Sequence, residues 1–264
     1  MDKRVCLVTG ASSGLGQACA DRLAGDGWQI VGASRRGTAT GTWEPLVMDV
    51  DDDRSVKAGI GEVMTEYGQV DALVTAAGWG LSGSVEDTAI PLAKAQLETN
   101  FWGTVRVVRE VLPSMRRSGG GRIVLMGSIG GVLGLPFQAY YSASKFALEG
   151  FAEALAYEVQ PFGISVTIVE PGNVRTGFTD SRRQAPSSAP YASANDSTLA
   201  VMENDERNGV DAGKVVEVVH RVLHARNPPR RVSVGKLDER FGPLAKRVLP
   251  YRLFERMARG SLGV

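Results

Sequence analysis

The sequence predicts an α/β fold: a single domain over residues 1–264, built on a doubly wound, mostly parallel sheet of about seven strands with helices on both faces. Three observations carry this expectation. Short runs rich in valine, isoleucine and leucine recur along the chain, and longer amphipathic segments separate most of them. Strands and helices that alternate in this way make βαβ units, whose right-handed crossovers lay a parallel sheet between two helical layers. The runs are also apolar almost throughout, the pattern of strands buried on both sides.

The first strand is RVCLVT from Arg4, followed by a glycine-rich turn and the amphipathic GQACADRLAGDG from Gly16. WQIVGA from Trp28 and PLVMDV from Pro45 are the second and third strands. DRSVKAGIGEVMTEYG from Asp53 forms a helix that leads into the fourth strand, DALVTA from Asp71. A long helix then runs from about Pro91 to Arg117, with its proline near the first turn, where a fixed φ and a missing N–H are tolerated. RIVLMG from Arg122, ISVTIV from Ile164 and RRVSV from Arg230 complete the seven. Between the last two, residues 173–210 include TDSRRQAPSSAPYASANDS and hold few large apolar residues. They read as a mobile loop with short helices at most. Because they follow the carboxyl end of the sixth strand, where open α/β sheets bind ligands, a substrate lid is expected there.

Composition narrows the function. The 264 residues carry a net charge of +1, so no global basic field draws the chain to nucleic acid. Cys6 and Cys19 lack the paired spacing of a zinc site or a disulfide framework and read as reduced core thiols. MDKRVCLVTG enters an apolar run too short for a signal sequence, and no uninterrupted apolar stretch is long enough to span a bilayer. A cytoplasmic protein is expected. His220 and His224 stand four apart in VVEVVHRVLHARN, but no third ligand is evident, so no metal site is predicted.

TGASSGLG, Thr9 to Gly16, lies between the first strand and the first helix. Glycines there let a phosphate approach the backbone, and the helix N-terminus supplies free N–H donors with a partial positive charge. Gly10, Ser12, Ser13, Gly14, Leu15 and Gly16 are therefore read as a dinucleotide-binding turn. The second strand ends in Ser34, Arg35 and Arg36, where an NAD-binding fold usually carries an acidic residue. A guanidinium pairs with a 2′-phosphate that a carboxylate would repel, which favours NADP(H) over NAD(H). The alternative is a solvated basic turn.

YYSASKFALEG contains two tyrosines upstream of one lysine. On a helix, residues four apart share a face, so Tyr141 and not Tyr140 is the neighbour of Lys145. An ammonium beside a phenol lowers its pKa from about 10 toward the working range and suits it to proton exchange with an alcohol or carbonyl oxygen. RIVLMGSIGG delivers Ser128 to a strand's carboxyl end, and Asn100 sits inside the long helix, where asparagine is unfavourable unless its amide is used.

The spacing Gly10-x-x-x-Gly14-x-Gly16 resembles that of the short-chain dehydrogenase/reductase family, and Asn100, Ser128, Tyr141 and Lys145 stand in the order of that family's catalytic tetrad. The resemblance runs from about Arg4 to Thr176 and implies an NADP(H)-dependent alcohol/ketone oxidoreductase. Tyr141 is then the general acid or base. Lys145 depresses its pKa and holds the nicotinamide ribose, Ser128 orients the substrate oxygen, and Asn100 maintains a water-linked proton route. Asp49 and Val50 match the segment that cradles adenine, although Asp49 also belongs to an acidic helix-start cluster. Pro171, Gly172, Val174 and Thr176 match the segment beside the nicotinamide. One motif departs: Ala76-Ala77-Gly78 stands where the family usually has Asn-Ala-Gly, which removes an amide that braces the central strands.

Residues Met115 to Leu155 resemble the hydroxysteroid and retinol dehydrogenase branch of that family, which implies a bulky lipophilic alcohol or carbonyl substrate. Trp79, Leu133, Leu135, Phe137 and Phe178 are candidates for its pocket, with ordinary core packing as the alternative. The family also implies a homodimer or homotetramer built on the helices bearing Asn100 and Tyr141. The basic, amphipathic segment 243–264 is read as packing on the domain or on another subunit, with peripheral membrane contact as the less favoured alternative. The rival from another class is a catalytically silent nucleotide-sensing or scaffold protein that keeps the fold.

Overall fold

Every residue of the first strand, β1 (Val5–Thr9), is buried, so that strand is covered on both sides. The structure, a computed structural model, describes residues 3–38 and 41–262. It contains a seven-stranded parallel sheet of β1, β2 (Gln29–Ser34), β3 (Glu44–Val47), β4 (Ala72–Thr75), β5 (Gly121–Met126), β6 (Ile164–Pro171) and β7 (Arg231–Val234). Their spatial order is β7-β6-β5-β4-β1-β2-β3. The chain thus builds outward from β1 in one direction and from β4 in the other, which makes the β1/β4 boundary the switch point where doubly wound sheets take ligands. Thr9 pairs in register with Thr75, and Thr75 with Leu125, so the strand ends beside that boundary are level.

The alternation of side chains along β1 assigns the two cores. Val5 and Leu7 join a cluster with residues of α2 (Asp53–Tyr67), α4 (Thr104–Arg117) and α5 (Ala139–Val159). Cys6 and Val8 face the opposite way, into a cluster with α1 (Gly14–Ala24) and α7 (Ala212–His224). Asp52 caps α2 by accepting from the Arg54 and Ser55 backbone N–H groups, and Gly68, with φ of 73°, ends it.

Two segments differ from the sequence expectation. The long helix expected from about Pro91 to Arg117 is divided into α3 (Ile90–Leu97), a π-helical turn over Glu98–Gly103, and α4. Residues 173–210 are not an irregular loop: they contain the 19-residue helix α6 (Ala189–Arg207). Two short parallel pairs frame it, Leu81–Ser82 with Arg183–Gln184 and Val174–Arg175 with Val210–Asp211. This helix buries only a few apolar side chains, among them Leu199 and Met202. Contacts distant in sequence hold it instead: Arg182 pairs with Glu206 out of solvent, and the Thr179 hydroxyl donates to Glu206 at 2.7 Å. The chain ends with α8 (Leu237–Val248) and α9 (Tyr251–Leu262); residues 263 and 264 of the predicted tail lie outside the described residues.

Candidate active site

A cavity of about 930 Å³ opens at the carboxyl ends of the central strands. One half of it begins at the turn after β1. Gly10 has φ of +69°, and a Cβ there would meet Ala77 Cα at 2.8 Å, so glycine lets this turn approach the end of β4. Ser12, Ser13, Gly14 and Leu15 line the cavity, and Ser13 caps α1 with no side-chain hydrogen bond, so its side chain does not occupy the first N–H donors of the helix. Gly16 is not in the lining, contrary to its expected binding role. It packs the helix onto the turn, where a Cβ would fall 2.3 Å from Gly10 O.

Ser34 and Arg35 line the cavity together with Asp49 and Val50, whereas Arg36 lies outside the lining; both arginines are exposed. Only one of the two arginines therefore borders the cavity. Asp51 and Thr99, which sequence reasoning missed, also line it; their side chains share a hydrogen bond of 2.8 Å. Burial pushes the Asp51 carboxyl up, and the Arg35 guanidinium pulls it down. Ala76, Ala77 and Gly78 complete this wall. The brace expected to vanish with the missing amide is supplied from β1: Thr9 Oγ1 accepts from the backbone N–H groups of Ala76 and Ala77 at 3.2 and 3.3 Å.

The other half of the cavity gathers the four polar residues. Tyr141 and Lys145 are both buried on α5 and line the cleft, while the hydroxyl of Tyr140 donates elsewhere, to Val85 O at 3.3 Å. Lys145 Nζ donates to Met126 O at 2.8 Å. Its burial pushes the ammonium down to about 8, opposed by the carboxylate of Glu149. Burial pushes the Tyr141 phenol up, a hydrogen bond with Ser128 pulls it down, and Glu206 and Arg182 add opposed smaller effects. The expected depression of the phenol by Lys145 therefore does not appear in this arrangement, because desolvation dominates and the ammonium is turned to a strand-end carbonyl. Ser128 follows β5, with its Oγ accepting from Gly130 N at 3.0 Å.

Asn100 is fully buried in the π-helical turn. Its Oδ1 accepts from Trp79 N at 3.0 Å, and its Nδ2 donates to Trp79 O and Ser144 Oγ, each at 3.1 Å. Single π turns inside helices recur at functional sites, and this one lets a helical asparagine tie the loop after β4 to α5. Pro171, Gly172, Val174 and Thr176 form the floor after β6.

The apolar wall of the cavity includes Trp79, Leu133, Leu135 and Phe178, with the Phe178 ring 5.9 Å from that of Tyr141. Phe137 is absent from the lining. Its backbone adopts φ of 54°, unusual for a bulky residue, and its carbonyl accepts from Gly83 N at 2.8 Å. Sequence reasoning missed Met202, Asp205 and Glu206 of α6, and Phe241, Ala245, Phe254 and Met257 of α8 and α9. The amphipathic pattern of α8 and α9 marks helices but not the cleft they cover, and α6 carries no such pattern.

Outside the cavity, Asp26 joins His220 and His224, with the three ligand atoms within 4.8 Å of one another. This is a third group that sequence spacing did not reveal. Arginines already engage it: Arg4 Nη2 is 3.3 Å from His224 Nε2, and Arg22 pairs with Asp26 at 3.6 Å. The cluster pins α7 to the end of α1. Cys6 and Cys19 are buried free thiols, both pushed up by desolvation.

Comparison with known proteins agrees with this geometry. The short chain dehydrogenase family profile matches residues 4–187. The chain belongs to the short-chain dehydrogenase family of NAD(P)-dependent oxidoreductases. It is 38% identical over 259 residues to a 3-ketodihydrosphingosine reductase of Bacteroides thetaiotaomicron, covering 97% of this chain and 96% of that one. It is 42% identical over 197 residues to the 17-beta-hydroxysteroid dehydrogenase type 1 of Homo sapiens, covering 68% of this chain and 60% of that one. The crystal structure of a short-chain dehydrogenase from Streptomyces avermitilis superposes with a TM-score of 0.86 at 33% identity, over 98% of both chains.

Proposed function

We propose that this protein is an NADP(H)-dependent reductase that interconverts a ketone and a secondary alcohol on a bulky, lipophilic substrate. The observation that carries this reading is the convergence of Tyr141, Ser128 and Lys145 on one cavity whose farther wall is apolar. The uncapped N-terminus of α1, the close glycine turn and Arg35 form a donor set suited to a pyrophosphate and a 2′-phosphate. When bound, NADP(H) supplies the hydride. The chain's own residues handle the proton: Ser128 holds the substrate oxygen, Tyr141 donates to it during reduction and accepts from it during oxidation, and Lys145 sets the charge beside that phenol. Asn100 fixes the loop that carries Trp79 against α5, and α6 serves as the lid over the substrate.

A long-chain keto lipid fits better than a steroid or a retinoid. The Bacteroides thetaiotaomicron relative, which spans nearly the whole chain, is named for reduction of 3-ketodihydrosphingosine. Such a substrate carries an amine as well as an alkyl tail, and the cavity offers the carboxylate of Asp205 beside its apolar wall, while that of Glu206 is already paired with Arg182. Exposed Trp102, Tyr157 and Phe162 around α4 and α5 support a homodimer or homotetramer built on those helices. A cytoplasmic location accords with the buried free thiols.

The test is a carbonyl panel assayed with NADPH and with NADH: a 3-keto sphingoid base, a 17-ketosteroid, retinal and a small polar ketone. The long-chain ketone with NADPH is expected to give the highest kcat/KM. Preference for the polar ketone defeats the lipophilic assignment, and nucleotide binding without turnover across the panel favours the silent sensor.

A further inference from the structure

The outer face of α8 is apolar where a solvated helix should be polar. Leu237, Phe241, Leu244 and Val248 lie at helical spacing i, i+4, i+7 and i+11, and all four are more than half exposed. The stripe continues onto α9 through Tyr251, Leu253 and Met257. A set of large side chains this exposed, on two successive helices, differs from the single scattered apolar residues of an ordinary surface.

Charge surrounds the stripe. Between Lys236 and Arg259 the chain holds seven cations against three carboxylates. Two of the carboxylates are engaged: Glu239 accepts from Asn173 Nδ2 at 2.7 Å, and Glu255 pairs with Arg259 at 3.5 Å. Among the described residues, Arg240, Arg247, Arg252 and Arg256 form no ion pair, and all four are exposed.

The hairpin is nonetheless anchored. Glu239 ties it to the segment after β6, and Lys246 Nζ donates to Val132 O at 2.8 Å. The same two helices turn Ala245, Phe254 and Ala258 inward, onto the cavity that holds Tyr141. Phe241 and Met257 are exposed yet also border the cavity, so the stripe runs along the cavity mouth, with Leu237, Leu244, Val248, Tyr251 and Leu253 lying outside the lining.

We propose that α8 and α9 form a docking face for an anionic bilayer, with the apolar stripe entering the acyl boundary and the arginines meeting lipid headgroups. No helix among the described residues is long and apolar enough to cross a membrane, so the contact is peripheral. A second copy of the chain fits this face poorly, because it would bring two like-charged surfaces together. Docking would place the mouth of the cavity at the bilayer surface and let a lipid ketone enter without crossing water; that last step rests on the substrate class proposed above.

The experiment is flotation of the full chain with vesicles of phosphatidylcholine alone and of phosphatidylcholine with phosphatidylglycerol. The wild-type protein is expected to float with the anionic vesicles and to be released by high salt. Each cation at an anionic surface strengthens partition about fivefold, so Arg247→Ala/Arg252→Ala should weaken it on the order of 25-fold. Leu244→Glu/Val248→Glu, which leaves the cavity lining untouched, should abolish flotation while turnover of a water-soluble ketone persists. Recovery of wild type in the unbound fraction with both vesicle types overturns the proposal. So does flotation unchanged in both double variants, or a Leu244→Glu/Val248→Glu protein that floats normally but drops from dimer to monomer in light scattering. Flotation reads docking alone and the carbonyl panel reads chemistry, so the failure of either is seen separately.

Discussion

Lys145 Nζ lies 5.8 Å from the centre of the Tyr141 ring and is held there by the Met126 carbonyl at the end of β5. A strand end thus positions the charge beside the phenol. Burial of both groups acts on them in opposite directions, raising the phenol and lowering the ammonium. A raised phenol stays protonated at neutral pH and is ready to donate to a ketone oxygen.

From these shifts follows a pH dependence for reduction. The ammonium of Lys145, pushed down to about 8, loses its charge as pH rises through that value. The kcat/KM for ketone reduction should hold steady below about pH 7 and fall above about pH 8. Lys145→Arg, whose guanidinium does not titrate in this range, should carry less activity but no decline near 8. Profiles recorded for both proteins check this, and a wild-type profile still flat at about pH 9.5 would count against Lys145 as the titrating group.

The proposed preference for NADP(H) assigns the 2′-phosphate to Arg35, which lines the cavity where Arg36 does not. Arg35→Ala should raise the Kd for NADPH by roughly tenfold or more, the loss of a charge-assisted hydrogen bond, and leave NADH binding nearly unchanged. Arg36→Ala should alter neither, because that side chain lies outside the cavity. Fluorescence titration of the three proteins distinguishes this from a general basic turn, in which the two arginines would contribute equally.

The carboxyl of Glu149 is pushed up to about 7 from 4.5, first by burial and then by Glu170, with Arg231 opposing. Arg231 reaches both, donating to Glu149 Oε2 at 2.7 Å and lying 2.9 Å from Glu170 Oε1. A raised carboxyl binds protons more readily folded than unfolded, so its ionisation erodes stability as pH climbs from about 4.5 to about 7. Arg231→Ala leaves two buried carboxylates without their cation and should cost about 2–3 kcal/mol at pH 8, below the full buried-pair value because Arg231 is half exposed. The loss should shrink at pH 5, where Glu149 takes up a proton. Denaturant titration at the two pH values measures it, and an equal loss at both would contradict this assignment.

Much of this was legible in the sequence because it depends on local pattern. Continuous apolar runs gave the seven strands, and the i, i+4 relation selected Tyr141 over Tyr140 without coordinates. What escaped depends on contacts between distant residues. The helix α6 rests on Arg182–Glu206 and on few buried apolar side chains, so its composition reads as loop. The π-helical turn at Asn100 leaves no signature in residue type. Phe137 shares its chemistry with the lining residues, and residue type does not announce the left-handed backbone it adopts outside the lining. Arg36 differs from Arg35 by one position, which is enough to turn it away. The α8–α9 hairpin reads as amphipathic, yet periodicity alone does not say which side of each helix meets the domain.

The most direct measurement is single-turnover reduction by Tyr141→Phe beside a parallel titration with NADPH. Removal of one oxygen from the proton donor should slow the chemical step by at least about a hundredfold while the Kd for the nucleotide stays within about twofold of wild type. A phenylalanine variant that reduces its ketone at the wild-type rate would show that the proton comes from elsewhere, and the site assembled around this hydroxyl would have to be reassigned.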